Sequence, residues 1–231
     1  MNNNLLIIVL IFIIIFILFT ATQLSHFTII DIHQMLYYDE ENNKIDHITL
    51  EDNEQKLALK YIKPNDVVLE LGARYGTVTC VISKLLNDKN NLVTVEPDSK
   101  IWTALEKNLE NNNCSANIHK GFISNKKLSL SSSGYASTSE IDNNSTIPSL
   151  TLDEIKKKYN INDFNTLIVD CEGCFEMFLD ENPTILNTLN KVMYEKDYPN
   201  KCNYDKIESM LKNNNFINIE NIYNHQFVWI K

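Results

Sequence analysis

The chain has 231 residues, of which 44% are hydrophobic and 22% are charged, and this is enough for one domain with a buried core. The formal net charge is −9, and no stripe of basic residues interrupts the acidic character. These two properties argue against a nucleic-acid partner, because binding to a phosphate backbone needs a positively charged surface.

The N-terminal segment is strongly apolar. After a tail at 1–4, residues 5–22 carry no charge, and as a helix they would extend about 27 Å, enough to span a bilayer. A cleaved signal peptide is the alternative, but the tail has no lysine or arginine, and Phe19 stands where a small residue should precede a cleavage site. We therefore predict a single-pass membrane anchor of undetermined orientation, a membrane-proximal segment at 23–45 and a folded domain at 46–231.

Strand and helix patterns alternate through the predicted domain. Short β-branched runs predict strands at 67–71, 92–96, 117–123, 166–170 and 191–195. Apolar residues at helical spacing predict helices that begin near 49, 77, 97, 152, 175 and 204. Residues 216–222 and 226–230 are predicted to form an antiparallel pair, and the polar stretch 126–148 a loop or weak hairpin that covers the site. The pattern predicts an α/β fold with a doubly wound, mostly parallel sheet and a terminal antiparallel hairpin.

The stretch 67–76 (VVLELGARYG) joins a predicted buried strand to a helix through a tight turn. Gly72 and Gly76 bracket this turn and allow the backbone to approach a ligand closely. The next strand ends in Glu96, about 20 residues further on, where a carboxylate can accept hydrogen bonds from ribose hydroxyls. The two features together predict a nucleotide-type cofactor site at the carboxyl end of the sheet.

The glycine spacing distinguishes two cofactor classes. A dinucleotide turn has the pattern G-x-G-x-x-G, with a glycine beneath the pyrophosphate. Here Arg74, the only arginine of the sequence, and Tyr75 occupy the turn instead. S-adenosylmethionine has no pyrophosphate, and the acid Glu70 suits its amino group. The turn therefore favours S-adenosylmethionine and disfavours an NAD-dependent reductase.

These residues resemble a known family. The segment 66–76 is similar to the first motif of class I S-adenosylmethionine-dependent methyltransferases, and residues 95–97 (VEP) are similar to the second. Residues 151–155 (TLDEI), followed by 167–173 (LIVDCEG), resemble the FkbM-like subgroup. The resemblance implies a seven-stranded Rossmann-like methyltransferase domain with S-adenosylmethionine as cofactor. It also implies O-methylation of a small hydroxylated molecule or glycan.

The resemblance carries over to individual positions. Glu70, Gly72 and Gly76 would surround the methionine part of the cofactor, Glu96 would hold the ribose, and Phe122 would lie near the adenine. Arg74 would contact the cofactor carboxylate or block the site. The candidates for the base that accepts the acceptor's proton are Asp170, Glu172 and Glu195, with His119 and His225 as weaker ones.

A second hypothesis starts from Arg74. If this arginine marks a lost cofactor site, the chain is a catalytically inactive methyltransferase-fold binding or scaffold module tethered to a membrane.

The five cysteines indicate neither a disulfide framework nor a metal site. Cys80 falls in the middle of a predicted helix, where it is expected to pack as a small hydrophobic residue. Cys171 and Cys174 have C-x-x-C spacing, but a zinc site needs a second pair of ligands that the sequence does not offer.

Overall fold

The structure, a computed structural model, describes residues 30–133 and 136–231. Its N-terminal part holds β1 (Tyr37–Tyr38), β2 (Lys44–Ile45) and α1 (His47–Tyr61). The first half of the sheet region contains β3 (Val68–Leu71), α2 (Thr77–Leu85), β4 (Leu92–Glu96), α3 (Trp102–Asn111), β5 (Asn117–Lys120) and β6 (Phe122–Ile123). The second half contains β7 (Leu128–Ser133), β8 (Ala136–Ile141), β9 (Ser149–Leu150), α4 (Leu152–Tyr159), β10 (Thr166–Val169), α5 (Phe175–Glu181), β11 (Lys191–Glu195), α6 (Tyr204–Asn213), β12 (Ile217–Ile222) and β13 (Gln226–Ile230).

A seven-stranded sheet with the order β12-β13-β11-β10-β3-β4-β5 organises the fold. The five strands from β11 to β5 are parallel, and β13 runs antiparallel to both β11 and β12. The predicted α/β fold, with a mostly parallel sheet and a closing hairpin, is confirmed. The chain passes from β3 outward to β4 and from β10 outward in the other direction to β11. A ligand crevice is therefore expected at the carboxyl ends of β3 and β10.

The pleat of the strands assigns their side chains to two faces. Leu69 and Leu71 lie in the main hydrophobic core, together with Phe164 and Phe175. Successive side chains of a strand point to opposite faces, so Glu70 lies on the other side of the sheet. The sequence shows this alternation, but it does not show which face carries the crevice.

Two predicted elements have different bounds in the structure. Helix α3 begins at Trp102 rather than at residue 97, because Trp102 Nε1 donates to the backbone oxygen of Glu96 (2.7 Å) and holds the intervening residues in a turn. The strand predicted at 117–123 divides at Gly121, where an added Cβ would lie 2.3 Å from the backbone oxygen of Pro148. Strand β6 therefore leaves the sheet and pairs with β9.

The expectation that the cysteines form no disulfides was wrong. Cys80 on α2 is bonded to Cys114, which follows α3, and Cys171 is bonded to Cys174. The packing of α2 beside the end of α3 brings residues 34 positions apart to a Cα–Cα distance of 5.2 Å. Such a contact between distant segments leaves no mark on the local sequence pattern.

The predicted anchor at 5–22 lies outside the described residues. Within residues 30–133 and 136–231, no helix combines the length and the apolar character needed to cross a membrane. Residues 32–45, which the sequence assigns to a membrane-proximal segment, belong to the compact unit from Ile32 to Lys231.

The segment around β1 is expected to be necessary for a stable fold. Tyr37 is fully buried, and its hydroxyl donates to the backbone oxygen of Thr77 (3.3 Å). A chain that begins at Ile32 should fold, whereas one that begins at residue 39 should lose more than about 3 kcal/mol, the upper contribution of one fully buried large side chain, because it lacks the buried Ile32 and Met35 as well as Tyr37. Urea unfolding of the two chains checks this expectation. Equal stabilities would show that Tyr37 does not hold the unit together.

Candidate functional site

A cleft opens at the carboxyl ends of the central strands. Together with the open solvent at its mouth, its empty space measures about 840 Å³. The strand ends and the turns after them contribute Leu71, Gly72, Arg74, Val95, Glu96, Pro97, Asp170, Cys171, Glu172 and Cys174. Strand β6, the β7–β8 hairpin and helix α5 contribute Phe122, Ile123, Leu128, Leu130, Ser137, Ser139, Met177 and Phe178.

Gly72 holds the two central strands together at the bottom of this cleft. Its φ is +94°, a conformation that side chains disfavour, and a Cβ added there would lie 1.7 Å from the backbone oxygen of Asp170. Its N–H donates to Val95 O at 3.1 Å. Gly72 therefore allows the ends of β3, β4 and β10 to approach one another closely.

Gly76 has a different role from the one that the resemblance implies. It caps α2 in a left-handed conformation, and an added Cβ would lie 2.8 Å from Leu105 Cδ1 on α3. It is not among the residues that line the cleft. Its position supports close packing of α2 against α3 rather than a cofactor contact.

Glu96 is held firmly at the edge of the cleft. Its Oε2 accepts from the backbone N–H of Arg74 (2.8 Å), and its Oε1 accepts from the backbone N–H of Asp98 (2.7 Å). The side chain is only 6% exposed, and burial raises its pKa to about 7. Each carboxylate oxygen keeps a further lone pair, so Glu96 can accept one more hydrogen bond at each oxygen.

Arg74 lies in the wall of the cleft. Its backbone has a φ of +41°, which places it in the left-handed region, and its guanidinium carbon lies 4.8 Å from the centre of the Tyr75 ring. Tyr75 is fixed in turn by its hydroxyl, which donates to Glu40 Oε2 (2.6 Å). The cleft keeps its empty space beside Arg74, so this side chain does not fill it.

Glu70 points away from the cleft. Its Oε2 accepts from the hydroxyls of Thr79 (2.7 Å) and Thr94 (2.6 Å), on the face of the sheet that packs against α2. It lines a smaller cavity of about 410 Å³ instead. Glu70 is therefore a buried residue of the sheet interior. This position does not support the contact with the cofactor amino group that the resemblance implies.

The ionisation of Glu70 should make the stability pH-dependent. Burial raises its pKa from 4.5 to about 7, so the folded state binds a proton that the unfolded state releases over this interval. The unfolding free energy should therefore fall as the pH rises, by about 2 kcal/mol between pH 5 and 8 for this one group. Glu70→Gln, which keeps an acceptor for both threonines, should remove this part of the pH dependence.

Urea unfolding at pH 5 and pH 8 measures the effect. Glu110→Gln is the matched control, because Glu110 is exposed on α3. If both variants keep the same dependence on pH as the unchanged chain, Glu70 does not bind the proton.

Four carboxyl groups meet where β10 and β11 end. Oxygen atoms of Asp170, Glu195 and Asp197 lie within 4.8 Å of one another. Burial and the neighbouring charge of Glu195 raise the pKa of Asp170 well above its ordinary value. Burial and a hydrogen bond with Asp197 raise the pKa of Glu172 to about 8. Asp170 and Glu172 therefore hold their protons more strongly than ordinary carboxyl groups do, as expected where like charges are crowded together.

The candidate bases occupy different places in this cluster. Asp170 and Glu172 line the main cleft, whereas Glu195 lines the smaller cavity behind it, together with Glu54 and Asp170. His225 Nδ1 lies 3.0 Å from Glu195 Oε1, so this histidine is a partner of Glu195. His119 is buried in the interior, and its Nε2 lies 3.0 Å from the backbone oxygen of Phe122.

The sequence did not identify the residues of two parts of the site. The stretch 126–148 was predicted as a loop or weak hairpin that covers the site, and the structure shows that its β7–β8 hairpin puts Leu128, Leu130, Ser137 and Ser139 into the cleft lining. Asp197 joins the acidic cluster although its position suggests a solvated strand end. Its spacing of two residues from Glu195, which ends β11, is the only sequence signal that could have identified it.

Comparisons with known proteins agree with the fold. No protein-family profile matches the chain, and no curated protein matches it. Among solved structures, the cofactor-bound protein Rv0187 from MTB has a TM-score of 0.51 and 9% identity, covering 78% of this chain and 79% of that one. A ribosomal protein L11 methylase from Lactobacillus delbrueckii subsp. bulgaricus has a TM-score of 0.47 and 16% identity, covering 78% and 77%. At identities of 9% and 16% these similarities concern the fold alone. The comparison of folds relies on Rv0187, whose TM-score is 0.51.

Proposed function

We propose that the chain is an S-adenosylmethionine-dependent methyltransferase that methylates a hydroxyl group of a small molecule or glycan. The observation that carries this proposal is Glu96, fixed by two backbone N–H groups at the edge of a cleft that begins beside Gly72. A carboxylate in this position can accept hydrogen bonds from the two hydroxyls of a ribose.

The cleft lining fits the parts of this cofactor. The apolar side chains of Phe122 and Ile123 line the cleft and offer a surface for the adenine. Gly72 and Arg74 also line the cleft, and the arginine would bind the cofactor carboxylate. The acidic residues at the end of β10 suit the positive charge of the sulfonium.

The proposed chemistry needs an aligned acceptor and a base. S-adenosylmethionine supplies a methyl group on a positively charged sulfur. Asp170 or Glu172 accepts the proton of the acceptor hydroxyl from its ionised form, which the nearby positive charge of the sulfonium favours. Once ionised, a carboxylate with a raised pKa is a stronger base than an ordinary one. The β7–β8 hairpin contributes Leu128 and Leu130 to the cleft lining, and these apolar side chains would help to exclude water from the reacting atoms.

The finer parts of the proposal rest on sequence. O-methylation and the FkbM-like subgroup are proposed from the segment 167–173 and its T-L-D-E partner, in which Thr151 and Glu154 form a capping box. Tethering to a membrane through 5–22 is proposed from the length of that apolar stretch. Carbonate extraction of membranes from cells that make the full chain tests the tether, since a spanning helix resists extraction.

Calorimetry tests the proposed cofactor. The chain should bind S-adenosylmethionine or S-adenosylhomocysteine with a stoichiometry of one, in the same cleft. NAD⁺, the control nucleotide, should not compete with either ligand. Absence of binding by both adenosyl ligands would overturn the proposal and leave the inactive scaffold module as the better description.

A further inference from the structure

The turn between β10 and α5 is closed by a disulfide inside the cleft wall. Cys171 and Cys174 are bonded to each other, and both line the cleft. The ring that they close contains Glu172 (φ +55°) and Gly173 (φ +92°). A left-handed conformation is unfavourable for a glutamate, and the covalent ring holds Glu172 in it.

We propose that Cys171 and Cys174 form a reversible dithiol–disulfide site that sets the position of Glu172 and the contacts that hold β8 at the cleft. This redox site does not depend on the proposed methyl transfer, because it would affect the binding of any ligand that enters this cleft.

Accessibility separates this pair from the other cysteines. Cys171 and Cys174 are half-buried at the cleft surface, where a dissolved thiol can attack the disulfide. In the other disulfide Cys80 is fully buried, and Cys202 is a buried free thiol that is 2% exposed. A closed loop of so few residues also restricts the unfolded chain less than the longer Cys80–Cys114 loop does. The C-x-x-C bond therefore contributes less to stability, which favours a role in the site.

Packing connects the disulfide turn to the hairpin. A Cβ added to Gly173 would lie 3.1 Å from Lys201 Cβ and 3.2 Å from Tyr198 Cβ, so the turn packs tightly against the segment after β11. Lys201 Nζ in turn donates to Thr138 Oγ1 (2.8 Å) and contacts Glu140 Oε1 (3.3 Å) on β8. A turn that relaxes on reduction displaces Lys201 and weakens these contacts.

The redox step is an ordinary exchange with a dithiol. A thiolate of the dithiol attacks one sulfur of the disulfide, the bond between Cys171 and Cys174 breaks, and the other sulfur leaves as a thiolate that takes up a proton. The second thiol of the reagent then displaces the first cysteine and closes its own disulfide. Two electrons and two protons pass to the protein, and the dithiol is oxidised.

The experiment compares three chains in reduced and oxidised dithiothreitol: the unchanged chain, Cys171→Ser/Cys174→Ser, and Cys80→Ala/Cys114→Ala as the matched control. Alkylation followed by mass spectrometry counts the thiols. Amide hydrogen exchange follows β8 and the segment 197–201. Calorimetry measures the affinity for S-adenosylhomocysteine.

In the unchanged chain and in the control, reduction should release the 171–174 pair and speed exchange in β8 by about tenfold. The affinity for S-adenosylhomocysteine should fall by a similar factor in both. The double serine variant should show the fast exchange under both conditions. The proposal would be overturned if the bond between Cys171 and Cys174 opened only on global unfolding. It would also be overturned if reduction left the rate of amide exchange in β8 unchanged. If S-adenosylhomocysteine does not bind in either state, the proposed function fails, while the exchange data still decide the redox site.

Discussion

Gly72→Ala should lower the unfolding free energy by at least about 5 kcal/mol, which would leave little folded protein in a domain of ordinary stability. The added Cβ would lie 1.7 Å from the backbone oxygen of Asp170, and neither backbone can move without separating β3 from β10. The φ of +94° adds strain for any residue with a side chain. Denaturant unfolding, or the yield of soluble protein where unfolding cannot be measured, checks the result.

Gly173→Ala is the matched control for this change. Gly173 also has a positive φ (+92°), but its Cβ would lie nearest to side-chain carbons, at 3.1 Å and 3.2 Å, and the backbone oxygen of Tyr198 would be at an ordinary contact distance of 3.9 Å. We expect the strain of the left-handed conformation without the backbone clash, a loss of about 1–3 kcal/mol. Equal losses in the two variants would show that the close approach of β3 and β10 does not limit stability.

Glu96→Gln should weaken the binding of S-adenosylmethionine by about 300-fold. The amide has one acceptor oxygen where the carboxylate has two, so it cannot satisfy both the Arg74 and Asp98 N–H groups and still accept from two ribose hydroxyls. A hydrogen bond to a charged group contributes about 1.5–3 kcal/mol. Loss of most of the binding free energy of two such bonds corresponds to an affinity about 300-fold weaker. Calorimetry at pH 8, above the pKa of about 7 for Glu96, measures the affinity with the carboxylate charged.

Asp98→Asn is the control for Glu96→Gln, because it removes the same charge two residues away. The Asp98 side chain accepts from Lys100 N (3.0 Å) and is not part of the cleft lining. Its effect on affinity should stay within about threefold, the scale of a partly screened charge. Similar losses in both variants would mean that the general acidity of this region, and not the hydrogen bonds of Glu96, supports binding. An unchanged affinity in Glu96→Gln would favour the scaffold module.

Much of the fold was visible in the sequence because it depends on local patterns. The strands at 92–96 and 191–195 have the predicted bounds in the structure, and the helix predicted to begin near 152 begins at Leu152. The T-x-x-E sequence at the start of that last helix forms the capping box that its spacing indicates. The strand-end acids Glu96 and Asp170 could be assigned to the cleft in advance, since parallel strands present their carboxyl ends at one edge of a sheet.

The rest depended on contacts between distant segments. Cys80 and Cys114 pair because two helices pack side by side, and Asp197 joins Asp170 because two strands are neighbours. The side chain of Glu70 could point to either face until the packing of α2 fixed which face holds the cleft.

The sequence by itself determined the order of the strands and helices, the glycine turn and the carboxylate at position 96, because hydrophobic periodicity and turn chemistry act over a few residues. The tertiary structure alone decided that Glu70 and Glu195 line the smaller cavity and not the cleft, that Gly72 is required for strand packing, and that a disulfide constrains Glu172. These features arise where the ends of separate strands meet, and the distances between such ends are set by the packing of the whole domain.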